Sequence, residues 1–582
     1  MAAFTTPTGL LLALLGVLTA LLGHEVSAQF FAIPTTRDVG TGGCDVACAT
    51  LASDFGAQLH YPDADKNFTV WDQKSRDVRS ACRIEPATSK EVAAVLGVLV
   101  SNWCNFAVKS GGHSSSRDAS NSVGGVTVDL KRISSVELSA DRTQTRVGTG
   151  AIWGDVYRAL EPKNLTVIGG RVDDVGVGGL LTGGGISFLS AQYGWATDNI
   201  LEYELVLPNA TIITANENCN SDLYFALRGG GNNFGIVTHF TLKTVSQGKI
   251  RGGQKFYSMD KMDALIDQSH KLTLSDDPSI GFWTGVIWMC SHNTTLALAQ
   301  EMYSKPVQNP AVWSDFDKVE PLGSTMRTEY MSNFSMELKT GTPSGNRNWM
   351  ATMTFLPSKE QEKRMVQIFN EEVDRIKAKA PTFQPSMTFQ PIPVSAIKAM
   401  KVRGGSALGF ESDTPLTLCN WASSWHDAKE DDAAYEFRQR MLARSRASAV
   451  ELGVLHKYVY MNYADSERDD VFAGNRSLSI KANGLVFVSG QMAADNKGKL
   501  IEGTVAEKTH KICQNASVVL KAAGSSLEKT VKVTVYFANL DDFKEMNDVY
   551  ALYFPHKPAR SAIEAKRLPA GCSIEMDLIA LA

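Results

Sequence analysis

The 582-residue sequence lacks several features that would assign it to common functional classes. Its nine cysteines include no CxxC pair, which argues against a zinc site. It contains no GxxxxGK followed by Ser or Thr and no GxGxxG that opens a helix in a βαβ unit, which excludes the usual P-loop and nicotinamide-type sites. A net charge of −4 provides no overall basic surface. We therefore expect no metal, nucleic-acid or membrane partner.

Long apolar runs are also scarce, and the one that could reach a bilayer extends from Gly9 to Gly23. It is followed by Val26-Ser27-Ala28 and Gln29, which is typical of signal-peptidase cleavage after Ala28. No Lys or Arg precedes the run, and a membrane anchor is the alternative interpretation. The run is short for a membrane span, so we predict a signal peptide over residues 1–28 and secretion.

Two further features agree with an oxidising, extracellular compartment. The first four cysteines, Cys44, Cys48, Cys82 and Cys104, are candidate disulfide partners, although their spacing leaves the connectivity open. Sequons along the chain predict N-glycosylation. The expected sites are Asn67, Asn164, Asn209, Asn293 and Asn333, and further sequons occur at Asn475 and Asn515.

The arrangement of apolar patterns and glycines predicts an α+β protein of several domains. The pattern predicts a short helical lead-in over residues 29–75. It predicts short strands separated by glycines over residues 76–247. A helix is predicted over 89–101, with either Thr88 or Ser89 as its cap. Residues 248–474 read as a second α+β domain with longer helices, at 359–378 and 431–452. Residues 475–582 follow a β-β-α-β-α-β order, which forms one sheet with helices on one face.

Three glycine-rich segments lie between residues 109 and 236: Lys109–Ser114, Val175–Ile186 and Arg228–Ile236. Glycine lets backbone N–H groups approach an anion closely, as a pyrophosphate requires. The second segment is too rich in glycine for a buried strand or helix and too apolar for a flexible linker. The pattern predicts a packed loop that contacts a flat dinucleotide ligand.

These segments resemble the PCMH-type FAD-binding domain of the vanillyl-alcohol oxidase family, and most closely the fungal oxidases related to berberine bridge enzyme and glucooligosaccharide oxidase. The resemblance covers about residues 76–246 and is carried by residues 106–114, 175–186, 193–199 and 226–235. It implies that His113 bonds covalently to FAD. The other cofactor-binding residues that it implies are Ser110, Gly111, Gly112, Ser114, Val175, Gly176, Gly178, Gly179, Gly183, Gly184, Gly185, Asn199, Gly235 and Ile236.

Two valines refine this expectation. Val172 stands where bicovalent relatives carry a second flavin-linked cysteine, so the resemblance implies a single covalent bond. Val175 falls where the oxygen-using members have a small side chain near the flavin. We therefore expect an oxidase that uses molecular oxygen and produces peroxide.

Residues 248–470 resemble the substrate domain of the same family, which is an α+β domain with an antiparallel sheet. The segment Tyr458–Asp465 resembles the strand that ends over the flavin, and Tyr463 is the candidate catalytic base. A free tyrosine has a pKa of about 10, so this role requires a cationic or hydrogen-bonding neighbour. The alternative is that Tyr463 is an aromatic core residue on a strand.

The C-terminal residues resemble a different family, the reactive intermediate deaminases. The resemblance is carried by residues 480–491, 558–561, 568–571 and 574–575. It implies a chorismate-mutase-like fold, trimers, and hydrolysis of enamines or imines. Arg560 would clamp a substrate carboxylate, Glu575 would orient a water molecule and Asn547 would complete the cleft. Ala562 and Arg476 depart from the cysteine and tyrosine usual in that family.

The sequence thus predicts a secreted FAD oxidoreductase that acts on an alcohol, a sugar or a secondary-metabolite intermediate. The alternative is an enamine or imine hydrolase whose oxidase half is inactive, or a joined gene model. A third interpretation is a non-catalytic secreted protein, because the usual C-terminal segment that packs on the FAD domain is replaced after about residue 474.

Overall fold

The computed structural model describes residues 42–275, 277–410, 412–464, 479–482, 485–495, 500–565, 568 and 571–582, and the described strands form four sheets. The predicted signal peptide, its cleavage site, the first part of the lead-in, and the positions Asn475 and Arg476 lie outside the described residues. Each sheet has helices packed against it, so the α+β class is confirmed.

The first sheet and its helices begin the region that the sequence predicts to bind FAD, called the FAD-binding region below. Its strands, in the spatial order β1-β2-β4-β3, are β1 Leu59–His60, β2 Cys82–Ile84, β3 Phe106–Lys109 and β4 Val126–Asp129. The helices are α1 Gly42–Phe55, α2 Gln73–Arg76 and α3 Ser89–Ser101. Strand β4 pairs in parallel with both β2 and β3. The first glycine-rich segment therefore leaves the carboxyl end of β3.

Two questions left open by the sequence are resolved in this region. Thr88, and not Ser89, caps α3, because its hydroxyl accepts from Glu91 N at 3.2 Å. The disulfides pair Cys44 with Cys104 and Cys48 with Cys82. Both disulfides start from α1 and attach it to the first sheet.

The second sheet completes the FAD-binding region. Its strands, in the order β5-β6-β10-β8-β9 with β7 also paired to β10, are β5 Val136–Leu138, β6 Gln144–Gly148, β7 Leu165–Val167, β8 Ile200–Val206, β9 Ile212–Asn216 and β10 Ile236–Ser246. The helices are α4 Trp153–Leu160, α5 Val177–Thr182, α6 Ser190–Tyr193 and α7 Ser221–Leu227. Every pairing within this sheet is antiparallel.

The third sheet begins at Ile250, four residues after β10 ends at Ser246. Its order is β14-β11-β13-β12-β17-β18-β16-β19, with β15 paired to β11. The strands are β11 Ile250–Tyr257, β12 Ile280–Met289, β13 Thr294–Tyr303, β14 Gly323–Ser324, β15 Arg327–Glu329, β16 Arg347–Phe355, β17 Gln384–Ile392, β18 Leu416–Trp425 and β19 Leu455–His456. The helices are α8 Met262–Thr273, α9 Met331–Thr340, α10 Lys359–Ile376, α11 Val394–Lys401 and α12 Asp431–Glu451.

A small apolar cluster joins the FAD-binding region to the third sheet. It contains Ile186 and Trp195 from one side and Tyr458 and Tyr460 from the other, packed with residues of α11 and β18. Burying this surface removes apolar area from water, and so fixes the second glycine-rich segment against the third sheet.

The fourth sheet belongs to the C-terminal region and has its own hydrophobic core. Its order is β20-β21-β24-β22-β23, with β20 Ser479–Ala482, β21 Leu485–Met492, β22 Thr530–Phe537, β23 Ala559–Glu564 and β24 Ile574–Leu581. Its helices are α13 Val505–Ala522 and α14 Phe543–Tyr553. Thr504 and Glu507 form a capping box at the start of α13. The observed order is β-β-α-β-α-β-β, which contains the predicted β-β-α-β-α-β order and adds a further strand, β24.

The described residues contain neither a membrane-spanning helix nor a cluster of metal ligands. No helix within the described ranges combines the length and apolar character needed to cross a membrane. In the same part of the chain, no group of three His, Cys, Asp or Glu side chains is placed to hold a metal ion.

Candidate active site

Two of the glycine-rich segments meet backbone to backbone. A Cβ added to Gly111 would lie 2.5 Å from the Gly176 nitrogen, and one added to Gly176 would lie 2.2 Å from the Gly111 nitrogen. The Ser110 hydroxyl supports this contact, since it donates to Thr149 O at 2.6 Å and accepts from Gly178 N at 3.1 Å. Glycine is required at both positions because no side chain fits between the two segments.

The second segment differs from the expectation of a loop without helix. Residues Val177–Thr182 form a short helix, α5, in which Gly178 packs closely against Thr149. A Cβ on Gly178 would lie 2.4 Å from Thr149 Cγ2. Gly179, by contrast, is exposed, and a Cβ there would meet nothing within 4 Å. This leaves an open backbone surface beside Ser110.

Tyr460 holds the end of this segment. Gly184 and Gly185 adopt φ angles of +119° and +91°, which side chains rarely tolerate. This turn aims the backbone N–H groups of Gly185 and Ile186 at the Tyr460 hydroxyl oxygen, at 3.0 and 3.1 Å. Gly183 lies against Asn462, whose Oδ1 would be 2.0 Å from an added Cβ. These three glycines thus allow the backbone to lie close to the segment that carries Tyr463.

The remaining cofactor candidates are placed by contacts within the protein. The Asn199 amide donates to Tyr193 O and Trp195 O, at 2.8 and 3.0 Å, and closes a turn. A Cβ on Gly235 would lie 2.5 Å from Val206 O, and Ile236 is buried at the start of β10.

His113 lies in a nearly enclosed position after β3. Its imidazole stacks on the Trp71 ring, with centroids 4.2 Å apart and an interplanar angle of 13°. The preceding residue, Gly112, has φ +72° and accepts from Trp71 N at 2.9 Å. The next residue, Ser114, accepts from Ser116 N at 3.1 Å. His113 Nε2 is buried without a hydrogen bond to the described residues.

Asp174 faces the same imidazole. Its Oδ1 lies 3.5 Å from His113 Nε2, and its Oδ2 lies 3.9 Å from the Lys339 ammonium. Burial alone raises the pKa of Asp174, but His113 and Lys339 together hold that pKa below its ordinary value. A buried histidine beside a carboxylate and an exposed glycine backbone fits an FAD attached at His113.

Tyr463 has the cationic neighbour that its proposed role requires. Arg171 Nη2 donates to Tyr463 Oη at 2.7 Å and to Gln390 Oε1 at 2.9 Å. The guanidinium also stacks on Trp283, 4.5 Å from the ring centroid. Tyr463 lies in a 3-10 turn, Met461–Tyr463, and not on a strand, so that part of the expectation is wrong. The strand β19 ends at His456, and the anchoring of Tyr460 on the glycine segment turns the chain.

A pocket opens beside Arg171 and Gln390. Its lining is mostly apolar, with Arg171 and Asp277 as the charged members. The apolar side chains come from both the FAD-binding region and the third sheet: Ile186, Phe188, Ala191, Trp195, Leu272, Ile280, Phe282, Trp283, Pro391, Ile392, Pro393, Ala396 and Leu418.

Sequence reasoning missed four residues of this site: Trp71, Arg171, Asp174 and Gln390. Arg171 and Asp174 lie within two residues of Val172, between the first two glycine-rich segments. Charged residues at such a position could have been predicted to belong to the site. Trp71 and Gln390 had no such local pattern. Val172 and Val175 themselves are half-buried, with Val175 N donating to Val172 O at 3.3 Å.

Of the three candidate deaminase residues, Arg560 and Asn547 meet within one chain and Glu575 lies apart from them. Arg560 donates to Asn547 Oδ1 at 2.7 Å and stacks over Tyr550, on the helix-covered face of the fourth sheet. Glu575 pairs in register with Tyr536 and belongs to the opposite face, because alternate residues of β24 from Ile574 to Ala580 are buried under the helices. The predicted three-residue cleft is therefore divided by the sheet.

The five predicted glycosylation sites, Asn67, Asn164, Asn209, Asn293 and Asn333, are all exposed. Asn515 is different, since its amide nitrogen donates to Met492 O and Ala494 O at 3.1 and 3.0 Å. A glycan on Asn515 would break these contacts.

Two family models match separate parts of the chain. The model described as "FAD binding domain" matches residues 80–216, and the model described as "Endoribonuclease L-PSP" matches residues 472–582. The first match contains His113 and the first two glycine-rich segments, and the second contains the fourth sheet.

Curated and solved proteins resemble the first three sheets. An FAD-dependent monooxygenase of Cochliobolus heterostrophus is 34% identical over 459 residues, covering 74% of this chain and 88% of the relative. The structure of Physcomitrella patens BBE-like 1 has a TM-score of 0.62 at 20% identity and covers 74% of this chain and 94% of its own. Glucooligosaccharide oxidase from Acremonium strictum, described as carrying a 6-S-cysteinyl, 8α-N1-histidyl FAD, has a TM-score of 0.58 at 18% identity, covering 73% and 91%.

Proposed function

This chain belongs to the family of FAD-dependent oxidoreductases that includes the monooxygenase of Cochliobolus heterostrophus, and on that premise we propose that it oxidises an apolar small molecule bearing an ionisable hydroxyl group. FAD is the cofactor and accepts the two electrons. In our proposal the flavin is held by one covalent bond, from His113, and molecular oxygen takes up the electrons to give hydrogen peroxide.

The contact of Arg171 with Tyr463 supports this reaction most directly. The guanidinium donates to the Tyr463 oxygen at 2.7 Å, and its stacking on Trp283 and bond to Gln390 hold it in place. A fixed positive charge stabilises negative charge that develops on a nearby oxygen. Arg171 would stabilise Tyr463 as a phenolate, and the phenolate would take the proton from a substrate hydroxyl, so that the negative charge passes to the substrate oxygen beside the guanidinium.

The cavity beside Arg171 favours an aromatic or polycyclic substrate over an oligosaccharide. A sugar presents a hydroxyl on nearly every carbon, and each buried hydroxyl requires a hydrogen-bonding partner. The lining has thirteen apolar side chains against six polar or charged ones, which are Arg171, Ser187, Ser190, Ser275, Asp277 and Gln390. Burial of apolar area would therefore provide most of the binding free energy.

Purified protein tests this proposal in two steps. Acid precipitation should leave yellow colour in the pellet, and replacement of His113 by Ala should move it to the supernatant. Addition of an aromatic alcohol such as 1-naphthalenemethanol, which becomes the aldehyde when it loses the hydroxyl proton and a hydride from the adjacent carbon, should bleach the flavin anaerobically, whereas cellobiose should not. A colourless precipitate would refute the covalent flavin, and reduction by cellobiose alone would refute the substrate class.

Secretion is also part of the proposal. It is supported by the apolar N-terminal run, by the exposure of the five sequons and by the two disulfides that anchor α1. The intact mass of protein from culture medium should show loss of residues 1–28, added glycans and one flavin. Retention of the unprocessed N-terminus inside the cell would contradict it.

For the C-terminal region we propose a trimer with imine-hydrolase activity as a second function. The face of the fourth sheet that carries Glu575 is not covered by its own helices, and it exposes Phe487, Ile563 and Leu581 at 40, 48 and 50%. A neighbouring copy would cover this apolar surface and bring a second chain to Glu575. Light scattering should give three times the monomer mass. Hydrolysis of 2-iminobutyrate that does not change on Arg560→Ala would refute the activity.

A further inference from the structure

The imidazole of His113 is held from two sides by residues to which the proposed function assigns no role. Trp71 stacks on its face at 4.2 Å, and Asp174 Oδ1 lies 3.5 Å from its Nε2. The imidazole side chain is 11% exposed, so few other groups can reach it.

Trp71 is itself fixed at both ends. Its indole Nε1 donates to Thr342 O at 3.0 Å, and its backbone N donates to Gly112 O at 2.9 Å. The indole therefore cannot turn away without breaking its bond to Thr342, and the backbone bond keeps Trp71 beside the residue that precedes His113. This restricts rotation of the imidazole about its χ angles.

The Asp174 carboxylate is directed at the imidazole and lacks a competing partner on that side. Its Oδ1 forms no hydrogen bond to the described residues, and its Oδ2 faces Lys339 at 3.9 Å. A carboxylate beside one ring nitrogen selects the tautomer with the proton on that nitrogen. With the proton on Nε2, the Nδ1 lone pair is free to act as a nucleophile.

We propose that Asp174 and Trp71 are positioning residues for flavin attachment, which orient His113 and select its reactive tautomer. This inference rests on the proposed covalent flavin. Attachment forms one bond between an imidazole nitrogen and the 8α methyl carbon of the flavin. One proton leaves that methyl group and one leaves the imidazole, and the two electrons pass to molecular oxygen, which becomes hydrogen peroxide.

The experiment follows attachment and not turnover. Full-length protein produced under riboflavin limitation is mixed with FAD in air, and acid-stable flavin is measured over time together with total bound flavin. Asp174→Asn should bind FAD but attach it about ten-fold or more slowly, Asp174→Glu should recover part of the rate, and Trp71→Phe should attach faster than Trp71→Ala.

The controls separate this inference from the proposed function. Asp155→Asn makes the same chemical change at an exposed carboxylate paired with Arg158, and should attach at the wild-type rate. His113→Ala should yield no acid-stable flavin. If wild type itself attaches no flavin, the proposed function fails. If wild type attaches flavin and Asp174→Asn matches it while remaining folded by circular dichroism, this inference alone fails.

Discussion

Arg171 joins the segment between the first two glycine-rich segments to the third sheet through the contacts of one side chain. It contacts Tyr463, Gln390 and Trp283 at once, so its charge is held in one place. Such a group stabilises charge without having to reorganise during the reaction.

We therefore expect Arg171→Met to lower kcat about 100-fold, because the stabilisation of the oxyanion is lost. Total flavin should not change. Stopped-flow measurement of anaerobic flavin reduction checks this expectation. Arg327→Met provides the control, since Arg327 also stacks on an aromatic ring, that of Phe334, away from the site. Reduction of Arg171→Met at the wild-type rate would show that the guanidinium has no part in the chemistry.

Glu362 predicts a pH dependence of stability. It is fully buried in α10, its Oε2 has no hydrogen bond to the described residues, and burial raises its pKa to about 8. Between pH 4.5 and 8 the unfolded chain loses this proton while the folded protein keeps it. The free energy of unfolding therefore falls as pH rises through this window, on the order of 1 kcal/mol per pH unit.

Glu362→Gln should remove this dependence. Relative to wild type, the variant should gain little stability at pH 5 and progressively more up to pH 8, as measured by urea unfolding at each pH. Glu360→Gln changes an exposed residue of the same helix and should show no such trend. An equal gain at pH 5 and pH 8 would mean that Glu362 titrates normally in the fold.

At the level of elements, the second glycine-rich segment depends on a residue from the substrate side. Tyr460 accepts two backbone N–H groups from it, at Gly185 and Ile186. Tyr460→Phe should destabilise the protein by about 2 kcal/mol or more, because two buried donors lose their acceptor. It should also increase the release of FAD from the His113→Ala background, measured by flavin fluorescence.

Tyr458→Phe provides a matched comparison two residues away. The Tyr458 hydroxyl is buried but makes no hydrogen bond to the described residues, so its removal should cost much less. Equal effects of the two substitutions on unfolding would indicate that packing, and not the hydrogen bonds of Tyr460, holds the segment.

At the scale of the whole molecule, the C-terminal core is separate from the cores around the flavin site. Val535 is fully buried in that core, while Thr534, the adjacent residue on β22, belongs to the opposite face. Val535→Asp should unfold the C-terminal region, because it buries an unpaired charge in the core of that region. The acid-stable flavin should stay in place, since the residues around it belong to a separate core.

Calorimetry and flavin content check this expectation together. Wild type should show two thermal transitions, and Val535→Asp should lose one of them. Thr534→Asp should keep both transitions and weaken only the proposed trimer. Loss of bound flavin in Val535→Asp would instead show that the C-terminal region supports the flavin site. It would then take over the packing role of the usual C-terminal segment, which is replaced in this chain after about residue 474.

Much of the fold could be predicted because its indications are local. Glycine spacing, helix caps and the alternation of buried residues act over a few positions along the chain, so α3, β10 and the order of the C-terminal elements follow from neighbours in sequence. The FAD-binding family follows from the same segments, with His113 among them.

Predictions from neighbouring residues were wrong where contacts between separate elements determine the local structure. They excluded a helix at Val177–Thr182, where the structure has one that packs through Gly178 on Thr149. They placed Tyr463 on a strand, although the hold of Tyr460 on the glycine segment turns the chain there. Both differences depend on partners in another segment of the chain.

The sequence by itself determined the FAD-binding family, the candidate histidine, and the presence of a second, deaminase-like region, because each is carried by residues close together in the chain. The tertiary structure alone decided which cysteines pair, that Arg171 meets Tyr463 292 residues away, and that Arg560 and Glu575 lie on opposite faces of one sheet. The physical reason is that hydrogen bonds and ion pairs require atoms within a few ångströms, and only the folded chain brings such distant residues that close.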